Sequence, residues 1–351
     1  MDHTLFRRKI LRWYATNART LPWRGTTDPY RVWISEIMLQ QTTVQTVYGY
    51  FDRFMERFPT VDALAAASLD EVNRLWEGLG YYRRAASLHQ TAQEIVEHHG
   101  SKLPLDVEVL KKLPGIGRYT AGAILSIATD QRLPILEANT VRLHARLLAV
   151  KGDTSRGEAN RALWNFAERI LPKTGSGRFN QALMDLGSTV CTPKEPQCLL
   201  CPVVAFCETA KRGWQSQIPS PKTKENPEER TEAAVLIRKK GKILLIKYPA
   251  DVRWAGLWDF PRCELNDVPS AQQRLSAMTG RKIVIGKQIE AIKHSVTRFR
   301  ITLLFYEAKE LGKVSNGSIP YETRWATAQE MEQIPLNSTA RKLWKNRCKA
   351  K

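Results

Sequence analysis

Four cysteines near the middle of the chain place the strongest constraint on its fold. Cys191, Cys198, Cys201 and Cys207 are separated by six, two and five residues. Four thiolates can enclose a 4Fe-4S cluster or a zinc ion. Zinc sites usually contain two close cysteine pairs, whereas only the central pair is close here, so the spacing favours the iron–sulfur cluster. The remaining alternative, four free cysteines in a core, is less expected at this density.

The chain is strongly basic. Its 351 residues include 54 Lys and Arg against 35 Asp and Glu, which gives a net charge of +19. This surplus favours a polyanionic partner, nucleic acid above all, over a soluble basic protein without one. The N-terminus lacks the unbroken apolar core of a secretory signal, and no apolar run is long enough to cross a bilayer. We therefore expect a cytoplasmic protein with no membrane partner.

The hydropathy pattern changes once along the chain, which predicts two domains. Over 1–215, apolar residues recur at helical spacing between turn signals, as expected for an all-α domain. Residues 216–230 (SQIPSPKTKENPEER) are polar and rich in proline and charge, which is typical of a linker. An α+β domain is predicted over 231–345. Its strand-like runs lie at 233–237, 242–248, 282–285 and 300–306, and its one helical pattern lies at 267–279.

The segment 113–123 (LPGIGRYTAGA) lies between two helical patterns. Gly115 and Gly117 allow a sharp turn and leave backbone N–H groups at a helix N-terminus, an arrangement that binds phosphate. A G-x-G sequence alone is often only a turn. With Leu-Pro before it and small residues after it, the segment resembles the helix-hairpin-helix of base-excision DNA glycosylases. Its contacts would fix position on DNA rather than sequence.

One position in this hairpin separates two classes of enzyme in that superfamily. The bifunctional lyases carry a lysine at the position of Tyr119, and the lysine forms a Schiff base with the sugar. A tyrosine cannot form this imine. The resemblance therefore implies a monofunctional glycosylase.

A carboxyl group lies on the apolar face of a predicted helix. Asp28 and Pro29 are typical of a helix start, and Glu36 then shares a face with Val32 and Leu39. A poorly solvated carboxyl group has a raised pKa, which suits a general acid. By spacing alone, a capped or salt-bridged core glutamate is an equal alternative.

The helix resembles the catalytic helix of adenine DNA glycosylases of the MutY type, within the endonuclease III superfamily, and the cysteine spacing matches the cluster loop of that superfamily. The resemblance implies that Glu36 protonates adenine. It also implies that Gln41 and Tyr81 wedge into the gap that the flipped base leaves in the duplex. Tyr81 is the first tyrosine of Gly-Leu-Gly-Tyr-Tyr. By the same resemblance, Arg24 and Gln181 line the adenine pocket.

The second carboxylate departs from the family pattern. The chain has Pro-Ile-Leu-Glu-Ala-Asn where the family has Pro-Ile-Leu-Asp-Gly-Asn. Glu137 thus replaces the aspartate that stabilises the sugar cation with help from Asn139 and Tyr119. The extra methylene matters, because a misplacement near 1 Å can cost about a hundredfold in rate. We expect retained activity, since Glu36, Tyr119 and Asn139 persist; the alternative is a catalytically weakened lesion-binding protein.

The segment 254–261 (WAGLWDFP) resembles the Nudix-like C-terminal domain of the same family. Residues 267–281 lack the glutamates with which Nudix hydrolases bind metal, so recognition is expected rather than hydrolysis. The family recognises 8-oxoguanine with a Phe-Ser-His loop, and the aligned residues here are Val296, Thr297 and Arg298. Thr297 keeps a hydroxyl, and Arg298 adds a donor fork suited to a carbonyl or phosphate. A plain β-hairpin with an exposed arginine is the alternative.

The sequence thus predicts a multidomain protein with an all-α helix-hairpin-helix domain, an iron–sulfur cluster loop and an α+β Nudix-like C-terminal domain. We expect a monomeric DNA glycosylase of base-excision repair. It would hydrolyse the N-glycosidic bond of adenine mispaired with 8-oxoguanine or guanine in double-stranded DNA. A glycosylase for another mismatch such as T·G is the alternative within the same class.

Overall fold

The computed structural model describes residues 1–220, 226–249, 252, 254–314 and 321–348. The chain divides into two compact units. The first contains Met1–Ala66 and Gln90–Thr223, and the second contains Ala67–His89 and Lys224–Lys351. Among the described residues, no helix combines the length and the apolar character needed to cross a bilayer.

The helices dominate the first unit, and the strands belong to the second. The α-helices are α1 (His3–Asn17), α2 (Pro29–Leu39), α3 (Val44–Arg57), α4 (Val61–Ala66), α5 (Leu69–Trp76), α6 (Arg83–His99), α7 (Val107–Leu110), α8 (Arg118–Thr129), α9 (Ala138–Leu148), α10 (Gly157–Ile170), α11 (Ser176–Thr189), α12 (Glu208–Arg212), α13 (Val268–Thr279), α14 (Ala328–Gln333) and α15 (Ser338–Leu343). The strands are β1 (Glu228–Lys239), β2 (Lys242–Lys247), β3 (Trp258–Asp259), β4 (Arg262–Glu264), β5 (Arg281–Val296), β6 (Phe299–Lys313) and β7 (Glu322–Ala326).

The start of α2 agrees with its sequence signals. Asp28 caps the helix by accepting a hydrogen bond from the Tyr30 backbone N–H at 2.9 Å, and Pro29 occupies the first turn. The helix is almost wholly buried from Tyr30 to Met38. Glu36 is therefore carried into the core by its helix, as the apolar spacing predicted.

Glycines let three helices of the first unit approach backbone to backbone. A Cβ on Gly177 of α11 would lie 2.1 Å from the Ser126 carbonyl oxygen of α8. A Cβ on Gly187 of α11 would lie 2.8 Å from the carbonyl oxygen of Asn139 at the start of α9. These contacts leave no room for a side chain, so they fix α8 and α9 against α11.

The core beside these helices extends to the cysteine segment. Its buried side chains come from α1, α9, α10 and α11, and they include Phe6, Ile10, Leu143, Phe166 and Phe179. Cys191, Cys201 and Cys207 are half-buried and pack against this cluster. The cysteine segment is therefore part of the folded unit.

The second unit is built on a mixed sheet. Its strand order is β3-β2-β1-β6-β5, with β4 paired to β1 and β7 paired to β2. Strands β1 and β6 run parallel, and the other pairs are antiparallel. Consecutive β1 residues pack into different clusters, with Leu236 on one side and Val235 and Ile237 on the other. The sheet is therefore buried on both faces, and the predicted strands and helix of this α+β domain are confirmed.

The predicted linker 216–230 includes folded residues at both of its ends. Its residues 221–225 lie outside the described part of the chain. Ile218 is 1% exposed, and its carbonyl oxygen accepts a hydrogen bond from Arg146 Nε at 2.8 Å. Strand β1 already begins at Glu228, where it pairs with Phe299. The polar composition of 216–230 did not predict that Ile218 is buried. It also did not predict that the charged residues from Glu228 onwards form the start of β1.

The domain boundary also differs from the sequence-based division. Residues 67–89 were expected in a helical domain over 1–215, but they group with the C-terminal residues. The reason is a set of polar contacts, among them Trp258 Nε1 donating to Asp70 Oδ2 at 3.0 Å and Arg341 Nε donating to Glu77 Oε1 at 2.7 Å.

We expect Gly177→Ala to lower the free energy of unfolding by about 3 kcal/mol or more, because the new Cβ would overlap the α8 backbone. Urea denaturation measures this. Gly117→Ala is the matched control: a Cβ there meets no atom within 4 Å, and its φ of −92° suits alanine. The control should change stability by less than about 1 kcal/mol. Equal losses in the two variants would contradict the close packing of α8 and α11.

Candidate active site

A buried polar contact in the first unit joins α2 to α8. Glu36 is 4% exposed, and the hydroxyl group of Tyr119 donates a hydrogen bond to its Oε2. One turn along α2, Gln40 Nε2 donates to Thr120 Oγ1 at 3.3 Å. Within the described residues, the partner of Glu36 is this neutral hydroxyl group, not a basic side chain. The alternative of a salt-bridged core glutamate is thus not what the structure shows.

The surroundings of Glu36 favour its protonated form. Burial raises the pKa of Glu36 to about 7 from the ordinary value of 4.5. The hydrogen bond from Tyr119 and the positive charge of Arg24 lower this pKa, and the negative charge of Glu137 raises it. The carboxyl group can therefore hold or release a proton near neutral pH.

Arg24 is held by a network that also contains Gln181. Its Nη1 donates to Tyr14 Oη at 2.5 Å and to Gln181 Oε1 at 3.2 Å, and its Nη2 donates to Asp185 Oδ1 at 3.1 Å. Asp185 is fully buried and also accepts three hydrogen bonds from Arg19, from the backbone N–H at 3.2 Å and from the guanidinium group at 3.0 and 2.5 Å. The structure thus brings the two predicted pocket residues, Arg24 and Gln181, into contact.

Glu137 caps the N-terminus of α9. Its Oε1 accepts from the Thr140 backbone N–H at 2.9 Å, and its Oε2 accepts from the backbone N–H and the side-chain Nδ2 of Asn139, at 2.8 and 3.1 Å. The Thr140 hydroxyl donates nothing to this carboxylate; it accepts from the Glu137 backbone N–H at 2.8 Å, which completes a capping box. Burial raises the pKa of Glu137, while these hydrogen bonds lower it. The longer side chain is used to reach around the helix end.

Asn139 is fixed from its other side by Arg142. The Nη2 of Arg142 donates to Asn139 Oδ1 at 2.9 Å and to the Gly187 carbonyl oxygen at 2.6 Å. Its Nε donates to the Cys191 carbonyl oxygen at 2.7 Å. One guanidinium group therefore connects the start of α9 to the first cysteine of the cysteine segment.

Three of the predicted DNA-contacting residues share an unusual backbone conformation. Gln41, Tyr81 and Thr297 have φ values of 57°, 51° and 53°, and all three are exposed. Such a φ is uncommon outside glycine and marks positions that the surrounding structure holds in place. Arg298, next to Thr297, has a side chain that is 63% exposed, with its Nε 3.7 Å from Glu228 Oε2.

The predicted hairpin forms as a turn before α8. Gly115 has a φ of 77°, Ile116 between the glycines is buried, and Gly117 is the N-cap of α8 without any side-chain cap. The first N–H groups of α8 are thus left for another acceptor, as expected for a phosphate site.

The four cysteines line one recess of about 370 Å³, part of it open to solvent. Arg146 Nη1 donates to Cys191 Sγ at 3.4 Å, and Gln215 Nε2 donates to Cys198 Sγ at 3.8 Å. In the described part of the chain, no group of three or more His, Cys, Asp or Glu residues is arranged so that it could hold a metal ion.

Three residues of the site were not predicted. Tyr14, Asp185 and Arg142 complete the networks around Arg24 and Asn139. Asp185 lies four residues after Gln181 in α11, a spacing that places both on one helix face. That spacing was an available signal, whereas the contacts of Tyr14 and Arg142 depend on helices that are distant in sequence.

Both parts of the chain are similar to known protein families. Residues 34–169 match the HhH-GPD superfamily of base excision DNA repair proteins, and residues 232–346 match the NUDIX domain. The adenine DNA glycosylase of Homo sapiens is 32% identical over 97% of this chain and 74% of its own length. That of Buchnera aphidicola subsp. Schizaphis graminum is 37% identical over 86% of each chain.

Solved structures resemble the helical part. A thermostable thymine-DNA glycosylase is 30% identical, with a TM-score of 0.55 over 60% of this chain and 97% of that one. A non-covalent endonuclease III–DNA complex is 21% identical, with a TM-score of 0.51 over 61% of this chain and 99% of that one. The second likeness shows the fold alone.

Fold and matches together define a base-excision DNA glycosylase with a helix-hairpin-helix domain and a Nudix-like C-terminal domain. Within that class, the chain belongs to the adenine DNA glycosylase family. The expected family, fold class and enzyme class are thereby confirmed.

We expect Glu36→Gln to change how stability depends on pH. In the wild type, the pKa of Glu36 is about 7 in the folded state and 4.5 in the unfolded state. The folded state therefore binds more protons in this interval, and the free energy of unfolding falls as the pH rises from about 4.5 to about 7. The variant loses this titration and should gain roughly 1–3 kcal/mol over the wild type between pH 5 and pH 8.

Urea denaturation at the two pH values measures the difference. Glu158→Gln, at an exposed glutamate in the first turn of α10, is the control and should keep the wild-type pH dependence. An unchanged pH dependence in Glu36→Gln would show that this carboxyl group does not titrate with a raised pKa.

Proposed function

We propose that this enzyme hydrolyses the N-glycosidic bond of adenine mispaired with 8-oxoguanine or guanine in duplex DNA. The observation that carries the proposal is the buried Glu36 with its pKa of about 7, bonded to Tyr119 and within electrostatic range of Glu137. The names of the curated relatives support adenine as the base.

In the proposed reaction, Glu36 donates its proton to a ring nitrogen of the flipped adenine, which makes the base a better leaving group. The bond between sugar and base breaks, and its electrons leave with adenine. The carboxylate of Glu137 then stabilises the positive sugar carbon, with Asn139 holding that carboxylate through two hydrogen bonds. A water molecule adds to the sugar and gives its proton to Glu36.

Tyr119 has two roles in this proposal. Its hydroxyl group orients the carboxyl group of Glu36, and it stays protonated because burial and the two nearby glutamates raise its pKa well above the ordinary value. It also occupies the position where a lyase needs an amine. The proposed enzyme therefore leaves an abasic site without cutting the strand.

The exposed residues are proposed to hold the distorted duplex. Gln41 and Tyr81 would fill the gap left by the flipped base, and Gly115 and Gly117 would present backbone N–H groups to a phosphate. Thr297 and Arg298 would contact the base opposite adenine. The exposed side chain of Arg298 at this turn supports the assignment.

A weakened lesion-binding protein is the second candidate, and one observation favours it. Both carboxylate oxygens of Glu137 are engaged by the end of α9. If these hydrogen bonds hold the carboxylate away from the sugar, the protein would bind a mispair without cutting the glycosidic bond.

The test is excision from duplexes that contain adenine opposite 8-oxoguanine, adenine opposite guanine, or thymine opposite guanine, followed by alkali. We expect strand breaks after alkali at adenine and none before it. Glu36→Gln should slow excision by about 10²–10⁴-fold, because general acid catalysis is lost. Breaks at thymine alone would replace the proposed substrate with the T·G mismatch.

The same assay with Glu137→Asp and Glu137→Gln separates the two candidates. If Glu137 stabilises the sugar cation, removing its charge should slow excision at least about a hundredfold, and Glu137→Asp should retain most of the rate. A wild type that binds the adenine duplexes without cutting, and that gains activity as Glu137→Asp, would establish the lesion-binding protein instead.

We also propose that Cys191, Cys198, Cys201 and Cys207 hold a 4Fe-4S cluster. The four cysteines line one recess, where Arg146 donates to Cys191 Sγ and Gln215 donates to Cys198 Sγ. Their spacing of six, two and five residues favours a cluster over a zinc ion. Burial raises the pKa of Cys201 to about 12, so a positive centre is needed to keep it as a thiolate. When bound, the cluster would supply a rigid cross-link and no reaction step.

Iron, inorganic sulfide and zinc analysis of the purified protein tests this assignment. We expect about four iron and four sulfide per chain. Cys198→Ser should lose iron, whereas the control Cys263→Ser, at a cysteine outside the set, should keep it. Stoichiometric zinc in place of iron would refute the assignment.

A further inference from the structure

The turn that carries Tyr81 has a strained backbone. Gly78 and Gly80 have φ values of 102° and 72°, and Tyr81 itself has a φ of 51°. A tyrosine keeps a left-handed conformation only when its surroundings fix it. The ring of Tyr81 cannot provide this, because the residue is 57% exposed. The turn must therefore be held through its flanking residues.

The end of the turn is held by Trp76 and Arg84, which lie just before and just after it in sequence. Trp76 Nε1 and Arg84 Nη2 both donate to the Gly80 carbonyl oxygen, at 3.1 and 3.2 Å. The Arg84 guanidinium also lies 5.6 Å from the centre of the Tyr81 ring and 5.3 Å from that of Trp76. These contacts fix the end of the turn next to Tyr81.

The other flank is held by residues 331–341 of the same unit, which we call the C-terminal segment. Arg341 Nε and Nη2 donate to Glu77 Oε1 and Oε2 at 2.7 and 3.0 Å, and both side chains are 10% exposed. The remaining donors of Arg341 bond the carbonyl oxygens of Met331 and Ile334, each at 2.7 Å. This bidentate pair is shielded from water. Glu77 Oε2 also accepts from Arg74 Nη1 at 3.5 Å and from the Leu336 backbone N–H at 3.4 Å. Glu77 immediately precedes Gly78, so the pair fixes the start of the turn.

Helix α5, which leads into the turn, is contacted by two other parts of the same unit, around Trp258 and at Glu332. Trp258 Nε1 donates to Asp70 Oδ2 at 3.0 Å, and Arg74 Nε donates to the Glu332 carbonyl oxygen at 2.9 Å. A Cβ on Gly256 would lie 3.1 Å from Asn73 Nδ2. The Trp-Ala-Gly-Leu-Trp motif therefore packs on the helix that ends at the turn.

We propose that the C-terminal segment positions the Tyr81 wedge through the Glu77–Arg341 pair. Glu77 and Arg341 are positioning residues, and they act through the backbone of Tyr81. This inference rests on the proposed base-flipping function. It gives the C-terminal domain a part in opening the base pair that is separate from recognition of the opposite base.

The first experiment does not depend on excision of a base. Hydrogen–deuterium exchange of the full chain follows the backbone amides of 78–82 in Arg341→Met and in the milder Glu77→Gln. We expect exchange to rise about tenfold or more at these amides. Arg281→Met is the matched control, since it removes another shielded ion pair of the second unit, Arg281 with Glu310 at 2.5 Å. It should leave this segment unchanged.

The second experiment measures affinity for a duplex with adenine opposite guanine, in a Glu36→Gln background that prevents excision. Arg341→Met should weaken binding about tenfold, and it should add nothing once Tyr81→Ala is present, because both changes remove the same contact. A merely structural role predicts equal losses with and without Tyr81. Equal losses, or unchanged exchange at 78–82, would overturn the inference.

The two proposals fail differently. If the wild type does not excise adenine from any duplex, the proposed function fails, while exchange and binding still decide the role of Glu77 and Arg341. If excision proceeds but these two measurements are unaffected, only the positioning role fails.

Discussion

The burial of one carboxyl group, that of Glu36, is the constraint on which the candidate site depends. On a solvated helix this group would titrate near its ordinary pKa, but the contact of α2 with α8 removes water and raises the pKa to about 7. The hydroxyl group of Tyr119 satisfies the carboxyl group without neutralising it by charge. The same burial costs stability when the group is ionised, and the tightly packed helices around it offset that cost.

The start of α9 connects this site to the cysteine segment. Glu137 caps the helix and bonds Asn139, and Arg142 bonds Asn139, Gly187 and the backbone of Cys191. The position of the second carboxylate therefore depends on how the cysteine segment is folded. This gives the proposed cluster a structural role at a distance from the chemistry.

The second unit matches the NUDIX domain but lacks its acidic helix. Helix α13 contains no aspartate or glutamate, so the metal site that Nudix hydrolysis needs is not built there. Its sheet instead supports an exposed turn at Thr297 and Arg298, while Trp258 and Arg341 contact the helix and turn that carry Tyr81.

The family, the two fold classes, the start of α2 and the burial of Glu36 could be predicted from the amino-acid sequence, because they follow from motifs and local signals: the Asp-Pro cap, helical spacing and alternating strands. It did not determine that residues 67–89 join the C-terminal unit, that Ile218 is anchored, or that Glu137 caps α9. Nor did it reveal Tyr14, Asp185 and Arg142, or the pairing of Glu77 with Arg341. Most of these features became visible only in the folded chain, because they depend on side chains that are far apart in sequence, and no local pattern records which distant side chains will meet.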